Sequence, residues 1–405
     1  MIQFLDGRVT LYPGDCIEVL RGLPENSVDS AVMDPPYHLT SIVDRFGKDG
    51  AAEVKAGATG AFKRASAGFM GKEWDGGDIA FQVETWREVL RVLKPGGYLL
   101  AFASTRGFGR MSVAIEDAGF IVHPLIAWVF GTGFPKATRL KADGYEGWRY
   151  GGQALKPAIE PIFMGQKPFS EKNGTANVLK HGVGAVNIDG CRVGDDERQV
   201  QIRDIKRMHG GSYANQDRKN KADIVEEKLV SGRWPANLIH DGSDEVLAAF
   251  PDAPGALRAV NETFEPKKGT AVYGDYGRRP EALPRNDSGS AARFFYSAKA
   301  DSDDRIGSRH PTVKPVDLMR YLVRLVTPAG GTVLDCFAGT GTTGEAAWRE
   351  GCNAVLIERE AEYQADIAER MRLCLSGQGE RQREIAKRKG APEDLGPLFG
   401  GGDHV

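Results

Sequence analysis

Two stretches of this chain alternate short apolar runs with helical periods, and the stretch between them does not. From Val9 to about Pro135 the runs are RVTLYPG, CIEVLRGL, SVDSAVMD, VETWREVLRVL and GYLLAFAS; after His310 they are VDLMRYLVRLV, GGTVLDC, TTGEAAWRE and NAVLIERE. Strands that alternate with helices predict an α/β fold around a doubly wound, mostly parallel sheet. Val83, Trp86, Val89, Leu90 and Leu93 share one helical face, so a helix is expected from about Ile79 to Leu93, stopped by Lys94-Pro95-Gly96-Gly97. A buried strand should follow from Gly97 to Ser104.

Between about Gln166 and Lys299 the periodicity fades and Gly, Asn, Asp, Lys and Arg dominate. The expected organisation is an α/β half over residues 1–165, an irregular insert over 166–299, a second α/β half over 300–375 and a charged tail over 376–405 that reads as disordered. Asp44 to Gly77 is loop-like and too long for an idle connection. With 41% hydrophobic residues among 405, the chain can bury a sizeable core without disulfides. Its five cysteines are scattered, with no close pair suggesting zinc, which favours a reduced, cytoplasmic setting. MIQFLDGRVT has no basic region followed by an apolar run, and no stretch approaches the roughly 20 apolar residues that span a bilayer.

The net charge of −2 says nothing about polyanionic partners, so the charges have to be read locally. Gln201 to Ala222 holds six basic residues, Arg203, Lys206, Arg207, Arg218, Lys219 and Lys221, against Asp204 and Asp217, with His209 and Tyr213 interleaved. That cluster is either a solvated face or a phosphate-contacting surface.

Gly339, Gly341 and Gly344 spell G-x-G-x-x-G between a strand and a helix, and Glu358 ends the next strand nineteen residues after Gly339. This satisfies a dinucleotide fingerprint, in which glycines admit a phosphate and the acid bonds a ribose, so a nicotinamide enzyme is one reading. Asp335 shifts the balance. A carboxylate just before the glycines would crowd a pyrophosphate but suits a cationic ligand such as S-adenosylmethionine.

Asp34-Pro35-Pro36-Tyr37 follows the strand SVDSAVM, and its prolines forbid continuation as an interior strand or helix. A stiff turn that presents a carboxylate, a carbonyl with no competing N–H and an aromatic ring suits chemistry on an exocyclic amine. The amine is a poor nucleophile because its lone pair is delocalised. Hydrogen bonds from its two protons to Asp34 and to the Pro35 carbonyl favour a tetrahedral nitrogen, while Tyr37 stacks on the base. There is no Pro-Cys pair to offer a thiolate for attack on a ring carbon.

DPPY at Asp34 to Tyr37, FAGTG at Phe337 to Gly341 and HPTVKP at His310 to Pro315 together resemble the motifs of the amino-group DNA methyltransferases. The order, catalytic motif first and cofactor motif last around an insert, resembles their circularly permuted beta class, which methylates adenine N6 or cytosine N4. GRWPANLIHDGS (Gly232 to Ser243) and ARFFYSAKA (Ala292 to Ala300) are similar to phage and prophage members. The resemblance implies a Rossmann-like methyltransferase core with S-adenosylmethionine as cofactor and double-stranded DNA as substrate. It implies a cofactor pocket of Asp34, Asp335, Phe337, Gly339, Gly341 and Thr342, with Glu358 on the ribose. Asp15 would sit near the adenine of the cofactor, or cap a helix; Thr312 and Lys314 would meet the methionine carboxylate, or Lys314 would form a surface salt bridge. Asp34, Pro35, Pro36 and Tyr37 would act on a flipped base, and the insert with its basic cluster would contact DNA. Aspartate at the first motif position favours adenine N6 over cytosine N4. A homodimer and a restriction endonuclease partner are compatible with the resemblance, and DLGPLFG (Asp394 to Gly400) is loosely similar to sliding-clamp peptides.

Overall fold

The computed structural model describes residues 1–37, 78–203, 224–253, 288–298, 300–310 and 312–390. Its strands are β1 (Ile2–Phe4), β2 (Val9–Pro13), β3 (Val28–Met33), β4 (Leu93–Phe102), β5 (Ile121–Val129), β6 (Lys136–Arg139), β7 (Arg149–Gln153), β8 (Ile159–Gln166), β9 (Val193–Arg203), β10 (Ile224–Arg233), β11 (Leu238–His240), β12 (Tyr296–Ser297), β13 (Thr332–Asp335) and β14 (Asn353–Glu358). Ten form one sheet in the order β1-β2-β14-β13-β3-β4-β8-β5-β11-β12. Six of its nine neighbouring pairs are parallel, so the α/β expectation holds; β8 runs antiparallel between β4 and β5, and β1 antiparallel to β2.

Successive side chains of β3 and β4 enter opposite layers. Val32, Leu100 and Phe102 join one cluster with Leu318, Leu322 and Ile367, whereas Ala31, Met33, Leu99 and Ala101 join another with Trp86, Val89 and Ile115. Because both faces are covered, these strands read as continuous apolar runs rather than alternating ones. Leu99 and Leu100 are fully buried, and truncating either to alanine would cost about 2–5 kcal/mol.

The order places β13 beside β3, with β14 beyond one and β4 beyond the other, so the winding reverses between them. Val333 pairs with Ser30 and Leu334 with Ala31, which brings the carboxyl ends of two strands from opposite ends of the chain side by side. In doubly wound sheets that reversal is where ligands bind.

Three expectations need correction. The helix expected from Ile79 to Leu93 is a 3-10 turn (Ile79–Phe81) and a helix (Val83–Val92) separated by an extended Gln82, and Leu93 already begins β4. Apolar spacing does not register a single extended residue. The insert, expected to be irregular, contains regular elements: β11 and β12 extend the main sheet beyond β5, and Asn177 of the helix Gly174–His181 donates to the Pro95 carbonyl at 2.8 Å. Within it β9 and β10 form an antiparallel ribbon. The tail is ordered over the helix Gln378–Gly390, where Ile385 is buried against Ile306 and Leu373. A sequence with so little apolar content reads as solvated, but its Arg381 and Arg388 reach the carboxylates of Glu345 and Asp366 at 2.8 and 2.6 Å. Asp44 to Gly77 and Asp394 to Gly400 lie outside the described residues. Among the described residues no helix is long and apolar enough to cross a membrane.

Candidate active site

A cavity of about 540 Å³ opens where β3 and β13 end, lined by both the proline turn and the glycine turn. The glycine turn is tied down from several sides. Glu358, at the end of β14, accepts the Gly339 N–H at 2.8 Å and the Glu360 N–H at 2.8 Å. Asp335 accepts the Phe337 N–H at 3.0 Å and the Thr343 hydroxyl at 2.5 Å. Gly339 and Gly341 have φ of +51° and +77°, a region costly for residues with a Cβ, and a Cβ on Gly341 would stand 3.0 Å from Ile367. Gly344 serves packing instead, since a Cβ there would lie 2.8 Å from Leu356 on β14. From behind, the fully buried Arg370 donates to the Thr340 carbonyl at 2.7 Å, to Glu345 at 2.8 Å and to the Asp304 carbonyl at 2.6 Å.

The proline turn is held differently. Lys314 is buried and donates to Asp34 Oδ2 at 2.7 Å and to the Tyr37 hydroxyl at 3.1 Å, and pairs with Glu160 on β8 at 3.2 Å. Its ammonium also lies 4.8 Å from the Phe102 ring centre. Burial alone would push the ammonium down, but the Asp34 and Glu160 carboxylates hold it above its ordinary value. The Tyr37 hydroxyl donates to Glu160 at 3.2 Å, and burial together with both carboxylates pushes the phenol well above its usual range. The other Asp34 oxygen, Oδ1, is buried with no hydrogen-bond partner among the described residues. Lys314 is therefore not a surface salt bridge, and its ammonium already meets three oxygens of the chain.

The remaining expected residues divide. Asp15 lines the cavity and caps the helix Cys16–Gly22, accepting the Ile17 and Glu18 N–H groups at 2.9 and 3.3 Å, so one of its two readings is observed directly. Phe337, Thr312 and Thr342 line the cavity. His310 is more than a loop residue. Its ring packs edge-on against Tyr363 at 4.6 Å, accepts the Thr312 N–H at Nδ1, and would stand 3.3 Å from a Cβ on Gly339. Burial lowers its pKa, which favours the neutral ring. Arg203 closes β9 opposite Ile224; Lys206, Arg207, Arg218, Lys219 and Lys221 lie outside the described residues.

Sequence reasoning missed Glu160 and Arg370. Glu160 sits in KPAIEP, and a carboxylate between two prolines at a strand start was a weak available signal. Arg370 lies in an amphipathic helix, where an arginine reads as solvent-facing.

Of the residues lining the cavity seven are carboxylates, and two, Lys314 and Arg359, are cationic. Burial raises Asp335 to about 7 and Glu358 to about 6, so each gains from a positive ligand nearby. Such a pocket is a poor host for a pyrophosphate and a good one for a cation.

A DNA methylase family model, N6_N4_Mtase, matches residues 28–370. The chain is similar to the Type II methyltransferase M.HindIII of Haemophilus influenzae, 29% identical over 205 residues that make up 44% of this chain and 64% of that protein. It is also similar to the Type II methyltransferase M.BglI of Bacillus subtilis, 46% identical over 54 residues, 13% of this chain and 16% of that one. The chain thus spans less than two thirds of either relative. Among solved structures, the cytosine-N4-specific PvuII DNA methyltransferase aligns with a TM-score of 0.43 and 14% identity, over 94% of this chain and 93% of that one. With a family match that runs from β3 to Arg370 and takes in both turns of the cavity, the chain belongs to the N6_N4_Mtase family of DNA methylases.

Proposed function

We propose that this chain transfers a methyl group from S-adenosylmethionine to the exocyclic N6 amine of an adenine flipped out of double-stranded DNA. The observation that carries this reading is the asymmetry of Asp34, one oxygen held by Lys314 and the other buried with no hydrogen-bond partner among the described residues. A bare buried carboxylate oxygen is costly until something donates to it, and an amine proton is such a donor.

The pocket fits the cofactor. Its excess of carboxylates suits a sulfonium and an amino group, and its positive-φ glycines let a ligand approach the backbone closely. Phe337, Gly339, Gly341 and Thr342 would hold the methionine and adenosine parts, Glu358 the ribose and Asp15 the adenine side. Thr312 is left to meet the methionine carboxylate, since Lys314 is engaged with Asp34 and Glu160. When bound, S-adenosylmethionine supplies an electrophilic methyl group.

The chain's own groups would act on the acceptor. Asp34 Oδ1 and the Pro35 carbonyl accept the two amine protons and draw the nitrogen lone pair out of conjugation. Tyr37 stacks on the base, a contact worth about 1–3 kcal/mol. After transfer, the surplus proton on nitrogen passes to Asp34 Oδ1, while Lys314 stabilises the carboxylate from its other oxygen. The target has to leave the stack, because its amine is otherwise paired. Aspartate at the first motif position supports adenine as the acceptor.

Tritiated methyl transfer to random-sequence duplexes, with matched duplexes lacking adenine or lacking cytosine, tests this. Label is expected wherever adenine is present. Label on the adenine-free duplex would move the acceptor to cytosine N4. Absence of transfer together with tight NADH binding would overturn the reading altogether.

A further inference from the structure

Between β5 and β8 the chain leaves the sheet as the β6–β7 hairpin. It is rooted at the mouth of the cavity: Phe130 and Ile159 line it, and Phe130 N–H donates to the Ala158 carbonyl at 3.1 Å. The hairpin is a built element, with Thr138 paired to Tyr150, Arg139 to Arg149, and Leu140 N–H donating to the Trp148 carbonyl at 3.1 Å. Yet among the described residues no side chain from Gly131 to Ala158 joins a core cluster. Phe134, Trp148 and Leu155 expose 81, 65 and 86% of their surface, and Tyr145 and Tyr150 are exposed as well. Large apolar groups concentrated this way on a surface mark an interaction site.

The charges say which kind. Five basic residues stand against two acidic ones between Gly131 and Ala158, in a chain whose net charge is −2. Arg139 and Arg149 face each other directly across the ladder, a like-charge pairing that destabilises a hairpin. Neither has a carboxylate partner among the described residues. An anion between them would relieve that repulsion, and aromatic rings beside paired cations match a backbone of phosphates and sugars with stackable bases.

We propose that the β6–β7 hairpin grips duplex DNA beside the cavity, with Arg139 and Arg149 straddling the phosphate backbone and Trp148 and Tyr150 against the nucleotides next to the flipped base. This rests on the DNA methyltransferase reading and adds to it a contact surface outside the insert.

Arg139→Glu is the informative variant, because it replaces the like-charge pair by an opposite-charge pair with Arg149 and so leaves the hairpin at least as stable. Fluorescence anisotropy with a labelled duplex over a salt series is expected to show about ten-fold weaker binding and a shallower salt slope, by about one to two contacts. Trp148→Ala should weaken duplex binding while leaving the salt slope unchanged. Calorimetric binding of S-adenosylhomocysteine should match the wild type in both variants. Wild-type methylation of DNA with unaltered affinity and slope in the variants would overturn the hairpin assignment alone. A wild type that methylates no duplex would overturn it together with the reading beneath it. Loss of a dimer in light scattering, with duplex affinity intact, would make this face a self-association surface and overturn the proposal too.

Discussion

The glycine turn after β13 is anchored by Glu358, Asp335 and Arg370 through bonds that fix its backbone from three directions, whereas the proline turn after β3 hangs from Lys314 and, among the described residues, keeps one carboxylate oxygen without a donor. One turn is finished before any ligand arrives. The other is stiff in its backbone but chemically incomplete. On the proposed function the difference separates two duties: a surface that recognises a constant ligand can be fully satisfied in advance, and a group that must take hold of a reacting amine has to be left wanting a donor.

If that division is right, Asp34→Ala should lower the rate of methyl transfer by about 10³-fold or more while S-adenosylhomocysteine still binds within a few-fold of wild type. Single-turnover kinetics and calorimetry read the two halves separately, and retained transfer would refute the catalytic assignment. On the glycine side the reverse is expected. Arg370→Met removes a donor from the Thr340 and Asp304 carbonyls but leaves Glu345 with Arg349 and Arg381, so the loss should sit near the low end for a broken buried pair, about 3 kcal/mol. Thermal unfolding should show it, accompanied by weaker cofactor binding; an unchanged melting temperature would contradict the anchoring role.

Glu160→Gln keeps size but withdraws one of the two carboxylates that hold Lys314, and a misplaced Lys314 should slow turnover by about 10- to 100-fold with little change in cofactor affinity. A fall in cofactor affinity of the same size would move Glu160 to the other side of the site. The mildest effect expected is on pH. Asp335 and Glu358, raised to about 7 and about 6, are ionised at about pH 8 and attract a cation; as pH falls through those values they protonate and that attraction is lost. Binding of S-adenosylmethionine should weaken by about ten-fold between about pH 8 and about pH 5.5, and that of uncharged-sulfur S-adenosylhomocysteine by less. Equal slopes for the two ligands would show that the carboxylates do not sense the sulfonium.

Both turns were readable in the sequence because their chemistry is local. Glycines at positions of positive φ, prolines after an apolar strand and an acid at a strand end are each dictated within a few residues, whereas the pairing that sets the two turns side by side is a property of the folded sheet. The motif around Lys314 gives a position beside the cavity, which the residue lines, but its bond to Glu160 depends on β8 entering the sheet antiparallel beside β4, which no short pattern announces. The position of Glu160 depends on the same strand. The helix Gln378–Gly390 reads as disordered because its anchorage is one buried isoleucine and two ion pairs, and periodicity counts apolar residues only. The hairpin has no signature in the sequence, because an element whose described side chains join no core cluster leaves no hydrophobic period to detect.

The pairing of β3 with β13 also bears on how the molecule is made. Asp29 accepts the Thr332 N–H at 2.7 Å across a sequence separation of 303 residues, so a strand buried along its whole length waits for a neighbour synthesised long after it. Contacts of such range close late and slowly, and an apolar strand with an open flank is prone to pair with the wrong chain in the meantime. Pulse-labelling hydrogen exchange during refolding should find the β3 amides that bond to β13 gaining protection later than those that bond to β4, and the cavity should come into being at the end of folding rather than with the first sheet contacts.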